Sequence, residues 1–505
     1  MEERVFKVDG LERTKIQITL KFLSGNKSGA SEREQDILLS VHPKSSLLSV
    51  CQTHAEYLQK HGIQVELDGH CNGRGSCGKC RVQFMTGAPL PSQADRLHFT
   101  AEELRKGMRL ACTARLMQNC EVVLGWEADR KMSVVTQSAI AAAVKEPDRN
   151  GQRDEEHCFV AVDIGTTTVA MQLVETESGR ILAEHCFLNP GRRYGADVIS
   201  RIEASCAGGQ ELLQRELWEQ LSEGVSFLFK GRNKEKPDYM VCTGNTAMEH
   251  ILEGVSLAGM KAAPFEAGDI SLREMVLDGQ RVILMPGASA FVGGDIVSGV
   301  YACGIEQAKS PCLYLDLGTN GEMVLGCRER MLATATAAGP AFEGNATVGV
   351  YGADMTAVIA GLLRKGILDE TGLLQEPYFE NGIEADGVRL NQQNIREFQL
   401  AKAAVRCGIE ELLREYGILA EEVECVFLAG GFGYYLKEED ALLTGIIPAE
   451  FAGKVRSVGN AALAGAVRFG MTCDAGIAAL GKRIQVINLA QQEQFGEHYF
   501  SLLGF

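Results

Sequence analysis

Apolar and polar residues alternate along IQITLKF (residues 16–22) and again along ILLSVH (37–42), with a polar stretch containing Gly and Ser between them. That period of two predicts a hairpin of short strands. Ser45 or Ser46 can cap a helix running to about His61, in which Leu47, Cys51, Ala55 and Leu58 share one face at spacings of four, four and three. Cys51 is therefore read as core. A strand is expected at 81–85, a helix behind the capping box Thr100-Ala-Glu-Glu103, and a closing strand from Glu121 to Trp126. Residues 127–157 are more polar, and Lys145-Glu-Pro-Asp-Arg-Asn-Gly151 is their least structured portion, although Ala139 to Lys145 can form a short helix. They predict a linker between one domain at 15–126 and another at 158–505.

In the second domain the run FVAVDIGTTTVAMQLVE, from Phe159, reads as strand, turn and strand, and CLYLDLGTNGEMVLG repeats the design so that Asp316 falls 153 positions after Asp163. Two matching hairpins suggest two matching half-domains facing one cleft. A third glycine turn, Val426-Phe-Leu-Ala-Gly430-Gly431-Phe432-Gly433, follows an apolar strand. The helix before it carries Val405, Ile409, Leu412 and Tyr416 on its inner stripe. Gly459-Asn-Ala-Ala-Leu-Ala-Gly465 opens a small-residue helix able to pack closely on a partner. The segment QQEQFGEHYFSLLGF reads as a terminal helix docking Phe495, Tyr499 and Leu502.

Composition narrows the class. A chain of 505 residues, 46% of them hydrophobic, predicts two to four domains. A formal net charge of −16 argues against a nucleic-acid partner, since phosphate backbones are bound by concentrated Lys and Arg. The 16 cysteines lack the pattern of a secreted disulfide framework, MEERVFKVDG lacks the apolar core of a signal peptide, and no run is long enough to span a membrane. The expectation is a cytoplasmic protein with no membrane contact.

The cysteines carry the first chemistry. Cys71 and Cys77 are separated by five residues, Cys77 and Cys80 by two, and Cys80 and Cys112 by thirty-one. This is close to the plant-type ferredoxin pattern of three clustered thiolates and a distant fourth, and it predicts a 2Fe-2S cluster. Gly73, Gly75 and Gly78 let the loop turn its N–H groups toward sulfur. Zinc is the main rival, but structural zinc usually shows two short Cys pairs far apart. Hairpin, helix, cluster loop and two strands together predict a β-grasp ferredoxin of α+β type. Cys120 is read as a half-buried hydrophobe rather than an alternate ligand.

The second chemistry is phosphate binding. An acidic residue at a strand end can hold a metal through water, and Gly165-Thr166-Thr167-Thr168 offers N–H and hydroxyl groups to phosphate oxygens. Gly318-Thr319-Asn320-Gly321 repeats the arrangement, with Glu322 opening the next strand. Asp163 to Thr168, Asp316 to Gly321, Leu428 to Gly433 and Gly459 to Gly465 resemble, in that order, the phosphate-1, phosphate-2, adenosine and second connecting motifs of the actin, sugar-kinase and heat-shock ATPase superfamily. PGASAFVGGDIVSG (Pro286 to Gly299) occupies the place of its first connecting segment. This resemblance implies an α/β multidomain chain whose second domain has two ribonuclease-H-like lobes binding ATP and Mg2+, with Asp163 and Asp316 on the metal side and Gly430 and Gly431 against the adenosine. Thr166, Thr167 and Thr319 would bind phosphate. Glu322 is either a water-orienting group or a charge exposed on a hairpin.

A ferredoxin joined to such an ATPase resembles the reductive activators of corrinoid proteins, and DIGTTT, YGADVISRI (Tyr194 to Ile202), CTGNTAMEH (Cys242 to His250), DLGTNGE and LAGGFG are similar to that family. The resemblance implies that Cys71, Cys77, Cys80 and Cys112 hold the cluster. It further implies an ATP-driven electron to the cobalt of a methyltransferase system's corrinoid protein, a separate electron donor, and a homodimer. Larger members carry a small domain between ferredoxin and ATPase, where this chain has only the linker. Two other readings are an ATP-driven donor to a dehydratase or aromatic thioester reductase, and a kinase or actin-like protein with a regulatory ferredoxin. Asp197 and Arg201 are read as an i, i+4 helix pair, with Asp197 facing the cleft as the alternative. His157 and His250 are assigned no ligand role.

Overall fold

The computed structural model describes residues 16–22, 35–54, 57–58, 80–99, 101–124, 157–195, 197–318, 320–337, 352–385, 388–489 and 495–505. The chain divides into two compact units, Met1–Met132 and Ser133–Phe505. The expected linker and its short helix lie largely outside the described residues.

The first unit is a mixed five-stranded sheet, β1 (Ile16–Phe22), β2 (Gln35–Val41), β3 (Arg81–Thr86), β4 (Met108–Leu110) and β5 (Cys120–Leu124), in the order β2-β1-β5-β3-β4. The β1–β2 hairpin, β3 and the closing strand stand where the alternation puts them. The three-residue β4 gave no periodic signal. Ser46 caps the helix Leu47–Thr53 by accepting the Ser49 N–H, and Leu47, Cys51 and Leu58 are buried as expected. The helix has a C-cap at His54, Tyr57 and Leu58 are again helical, and residues 55, 56 and 59–61, over which the expected helix runs on, lie outside the described residues. The helix Gln93–His98, absent from the sequence reading, starts at a capping box of Ser92 and Asp95. Thr100 of the anticipated box is outside the described residues, while Ala101–Arg105 is helical.

The second unit contains two six-stranded sheets. One comprises β6 (Cys158–Ile164), β7 (Thr168–Glu175), β8 (Ile181–Leu188), β9 (Met240–Gly244), β10 (Arg273–Leu277) and β11 (Gln280–Leu284), ordered β10-β11-β9-β6-β7-β8. After β12 (Cys312–Leu317), β13 (Gly321–Gly326), β14 (Met331–Thr336) and a small hairpin of β15 (Ile383–Ala385) and β16 (Val388–Leu390), the other sheet is completed. It adds β17 (Cys425–Ala429), β18 (Val455–Gly459) and β19 (Ile484–Val486) in the order β18-β17-β12-β13-β14-β19. In both, a three-stranded antiparallel meander is followed by two parallel strands laid on the other side of the first: β6 pairs with β9 and β9 with β11, as β12 pairs with β17 and β17 with β18. The repeated hairpins of the sequence are thus equivalent parts of two equivalent lobes.

The lobes share a core. Phe159 and Val241 from one sheet and Tyr314 and Val324 from the other meet the helices Gly294–Cys303 and Ala461–Thr472 in one cluster of buried side chains. Small residues make this crossing close. A Cβ on Gly465 would fall 2.1 Å from the Ser298 carbonyl oxygen, and one on Gly299 would fall 2.1 Å from the Tyr314 hydroxyl. Arg468 lies 3.8 Å from the centroid of the Tyr301 ring and 3.2 Å from Glu306, closing the far end. The long helix Gln392–Tyr416 packs Val405, Ile409 and Leu412 inward, as its periodicity foretells.

Because no side chain fits at the Gly465 crossing without moving backbone, Gly465→Val is expected to cost about 2–3 kcal/mol, the upper range for overpacking. Chemical denaturation of the full chain checks this, with Ala464→Val on the same helix as the milder comparison.

Candidate nucleotide cleft and cysteine cluster

Cys80 precedes β3 and Cys112 follows β4, so the β3–β4 pairing brings the two together. The Cys112 N–H donates to Cys80 Sγ at 3.5 Å, and both residues are buried. Backbone amides aimed at sulfur are what a thiolate-held anionic cluster needs, so this pair fits an iron-sulfur centre. Cys71, Cys77 and the glycine loop lie outside the described residues. Cys120 is buried in the core of this unit, and burial pushes its thiol up to about 11, which fits an inert hydrophobe.

The cleft of the second unit is built by its two hairpins. Asp163 ends β6, and Asp316 ends β12 with Glu322 directly opposite on β13. A fourth carboxylate, Asp295, enters from the first turn of the helix Gly294–Cys303. All four are partly buried, and like charge adds to burial: Asp316 acts on Asp163, Asp295 and Glu322, and Asp295 acts on Glu322. Burial raises Asp163 to about 7, with Asp316 adding to the rise and an Asn460 hydrogen bond opposing it. Asp295 is raised to about 8 by burial, Asp316 and Asp163. Asp316 is raised to about 6 by burial, against a 3.2 Å hydrogen bond from Tyr314. Glu322 is pushed well up by burial and by Asp295 and Asp316, so it faces this cluster rather than standing as a charge exposed on a hairpin. Such a group of carboxylates suits a divalent cation and its water shell.

Three asparagines hold the first hairpin by one device. Each caps a helix with its side-chain oxygen and spends its amide on the cleft. Asn189 accepts from Gly191 N–H and donates to the Gly165 carbonyl at 2.8 Å. Asn245 accepts from Met248 N–H and donates to Thr166 Oγ1 at 3.0 Å. Asn460 accepts from Leu463 N–H at 2.8 Å and donates to Asp163 Oδ2 at 2.7 Å. The two jobs require an acceptor and a donor on one side chain; ionised Asp has no donor, and Ser carries both on a single oxygen, whereas Asn places them on separate atoms. Arg201, fully buried, donates to the Thr166 and Gly195 carbonyls. With Asn189 N–H on the Thr167 carbonyl, the carbonyls of Gly165, Thr166 and Thr167 are all tied to the protein.

Arg201 corrects one expectation. Asp197 caps the helix Val198–Ala204 by accepting Ser200 N–H at 2.7 Å, while Arg201 turns inward to the hairpin instead of forming that helix pair. In the second hairpin Gly318 N–H donates to the Asn320 carbonyl at 2.9 Å, and Thr319 lies outside the described residues. Gly430, at φ +79°, sits where a Cβ would come 2.5 Å from Asp316 Oδ1, whereas Gly431 faces open space. Thr168 starts β7. His157 is exposed beside Asp238, and His250 is buried with Nε2 accepting Gly268 N–H, its pKa lowered to about 4 by burial.

Sequence reading missed Asp295 and the asparagines. Asp295 had one signal, an acidic residue behind Gly293-Gly294 in the first connecting segment. The asparagines had only the N-cap preference.

Residues 158–308 match the family described as the RACo middle region, and residues 310–350 and 345–505 match the C-terminal domain of RACo, the ASKHA domain. The chain is 29% identical over 410 residues to the corrinoid activation enzyme RamQ of Eubacterium limosum, covering 67% of this chain and 69% of that one. It is 21% identical over 379 residues to the [Co(II) methylated amine-specific corrinoid protein] reductase of Methanosarcina barkeri, covering 60% and 68%. Among solved structures, a reductive activator for corrinoid,iron-sulfur protein superposes with a TM-score of 0.63 at 21% identity over 97% of this chain and 98% of that one, a likeness of fold.

Two outcomes are expected of the cleft. Asp163, Asp295 and Asp316 bind protons more tightly folded than unfolded. The stability those protons lend is complete below the unfolded carboxylate pKa, near 4, and is lost as pH climbs through about 6 to 8. Denaturation midpoints in chelator should therefore fall between pH 5.5 and 8.5, and Asp295→Asn should flatten that fall. Asn460→Asp keeps the cap but replaces a donor to Asp163 with a fourth Asp, and should cost about 1–3 kcal/mol by the same measurement at pH 8.

Proposed function

The chain belongs to the RACo family, and from that premise we propose that it is an ATP-dependent reductive activator, carrying one electron from an iron-sulfur cluster to the cobalt of a corrinoid protein in a methyltransferase system. The observation that carries the reading is the carboxylate cleft between two equivalent lobes in a chain that also pairs Cys80 with Cys112. When bound, a 2Fe-2S cluster would store an electron near roughly −400 mV, and Mg2+ with ATP would supply the free energy for the harder reduction of Co(II) to Co(I).

Cys71, Cys77, Cys80 and Cys112 are the thiolates of the N-terminal unit, which we read as a β-grasp ferredoxin. In the cleft, Asp163 and Asp316 would hold Mg2+ through its water shell, and Gly165 to Thr168 and Gly318 to Gly321 would receive phosphate oxygens. Gly431, with open space above it, leaves room for the adenosine beside Gly430. Glu322 or Asp295, each with a raised pKa, orients or deprotonates the attacking water. The helices Gly294–Cys303 and Ala461–Thr472, fixed to both lobes, carry lobe closure. Closure supports a different affinity for the corrinoid protein in each nucleotide state, without which ATP could not shift the equilibrium. A separate donor refills the cluster, the protein works in the cytoplasm, and two copies associate as a homodimer.

Purified protein, a reductant and a candidate corrinoid protein, followed by cobalt absorbance with and without MgATP, test the proposal. Cys77→Ser should abolish cobalt reduction. Asp316→Ala should leave cluster reduction intact while removing the ATP effect. Cobalt reduction that survives both changes would falsify these roles.

A further inference from the structure

In the second lobe, far in sequence from either hairpin, the long helix Gln392–Tyr416 and the helix Phe495–Ser501 bring together three different ligand types. Cys407 and Glu411 lie four residues apart on one helix face, and His498 reaches them from the other helix. Cys407 Sγ is 3.7 Å from His498 Nδ1, and that nitrogen is 3.1 Å from Glu411 Oε1. All three ligand atoms lie within 4.8 Å of one another. Around a tetrahedral zinc ion, bonds of about 2.3 Å to sulfur and about 2.0 Å to nitrogen and oxygen place sulfur and nitrogen roughly 3.5 Å apart and nitrogen and oxygen roughly 3.3 Å apart.

The other side of the imidazole is as informative. Nε2 lies 2.7 Å from Glu410 Oε2. A hydrogen bond from Nε2–H to that carboxylate fixes the tautomer and turns the Nδ1 lone pair toward Cys407 and Glu411, the carboxylate–histidine arrangement of metal ligands. Arg406 balances Glu410 at 2.5 Å, and Arg414 pairs with the other oxygen of Glu411, so the inward-facing atoms keep their lone pairs. We propose that Cys407, Glu411 and His498 form a binding site for a zinc-class divalent cation, with Glu410 orienting the histidine and water completing the shell.

Mixed sulfur, nitrogen and oxygen donors select such an ion over Mg2+ or Ca2+, which prefer all-oxygen sites. Burial and the two glutamates hold the Cys407 thiol up near 12, so without a cation it stays protonated. A bound ion would pin the C-terminal helix to the long one. Gly408, next to Cys407, packs where a Cβ would fall 2.8 Å from Thr336 and 2.9 Å from Met323. The pin therefore braces the helix that backs the second hairpin.

The competing arrangement is an imidazolium shared between Glu410 and Glu411 with no metal. The test uses the full chain with its cluster reconstituted, given one equivalent of zinc chloride and passed over a weak chelator. Elemental analysis should find about one zinc per chain, and zinc-edge X-ray absorption should show one sulfur with nitrogen and oxygen neighbours. Cys407→Ser and Glu410→Gln should each weaken zinc binding at least about tenfold. Zinc should also raise the melting temperature of the native chain and not of Cys407→Ser. Should Cys407→Ser fail to fold, Glu411→Gln takes its place. Zinc lost on the weak chelator, an all-sulfur shell marking the ferredoxin cysteines, or equal retention by the variants would overturn the site.

Discussion

Four carboxylates held in one cleft are the constraint around which the second unit is built. Folding must drive Asp163, Asp295, Asp316 and Glu322 together out of water, and every one of them ends with a raised pKa. Like charges opposed on neighbouring strands, as Asp316 and Glu322 are, destabilise a hairpin. The surrounding structure meets that cost locally, through Tyr314 on Asp316 and Asn460 on Asp163. Under the proposed function, a divalent cation carried in with the nucleotide would relieve the remaining repulsion. Binding energy and folding energy would then meet at the same four side chains.

Close approach of backbone is the second requirement, and it explains where glycine is spent. The cleft can be shared by two lobes only if the connecting helices cross within a few ångströms of each other and of both sheets. Gly465 against Ser298, Gly299 against Tyr314 and Gly470 against Phe159 achieve this. The Gly299 contact also serves the site, because a larger residue there would displace the hydroxyl that bonds Asp316. Packing and electrostatics are thus not separable at this crossing.

Much of this was legible in the chain. Strands ending in Asp-Ile-Gly and Asp-Leu-Gly marked both hairpins, because the same turn, ambiguous when met once, recurs 153 positions later in the same setting. Periodicity gave the long helix and its buried face, and cysteine spacing marked Cys80 and Cys112 as partners 32 positions apart. Local patterning could not show what depends on distant pairing. Strand β4 is too short to show a period, and Asp295 looks like any acid near a helix start until β12 is laid beside it. Arg201 fits an i, i+4 pair in one dimension, but in three its guanidinium has carbonyls to satisfy. The asparagines are invisible for a related reason: capping accounts for half of each side chain, and only the tertiary structure reveals the second half.

Asn460 ties the start of a helix to Asp163. Its helix, Ala461–Thr472, is about 18 Å long at 1.5 Å per residue, so a tilt of about 5° at the Asp163 end sweeps the other end through roughly 1.5 Å. The strength of that hydrogen bond depends on whether Asp163 carries charge. A change of charge at Asp163 would therefore be felt first at the start of this helix, whose last residue, Thr472, meets Tyr301 of the neighbouring helix at 3.3 Å.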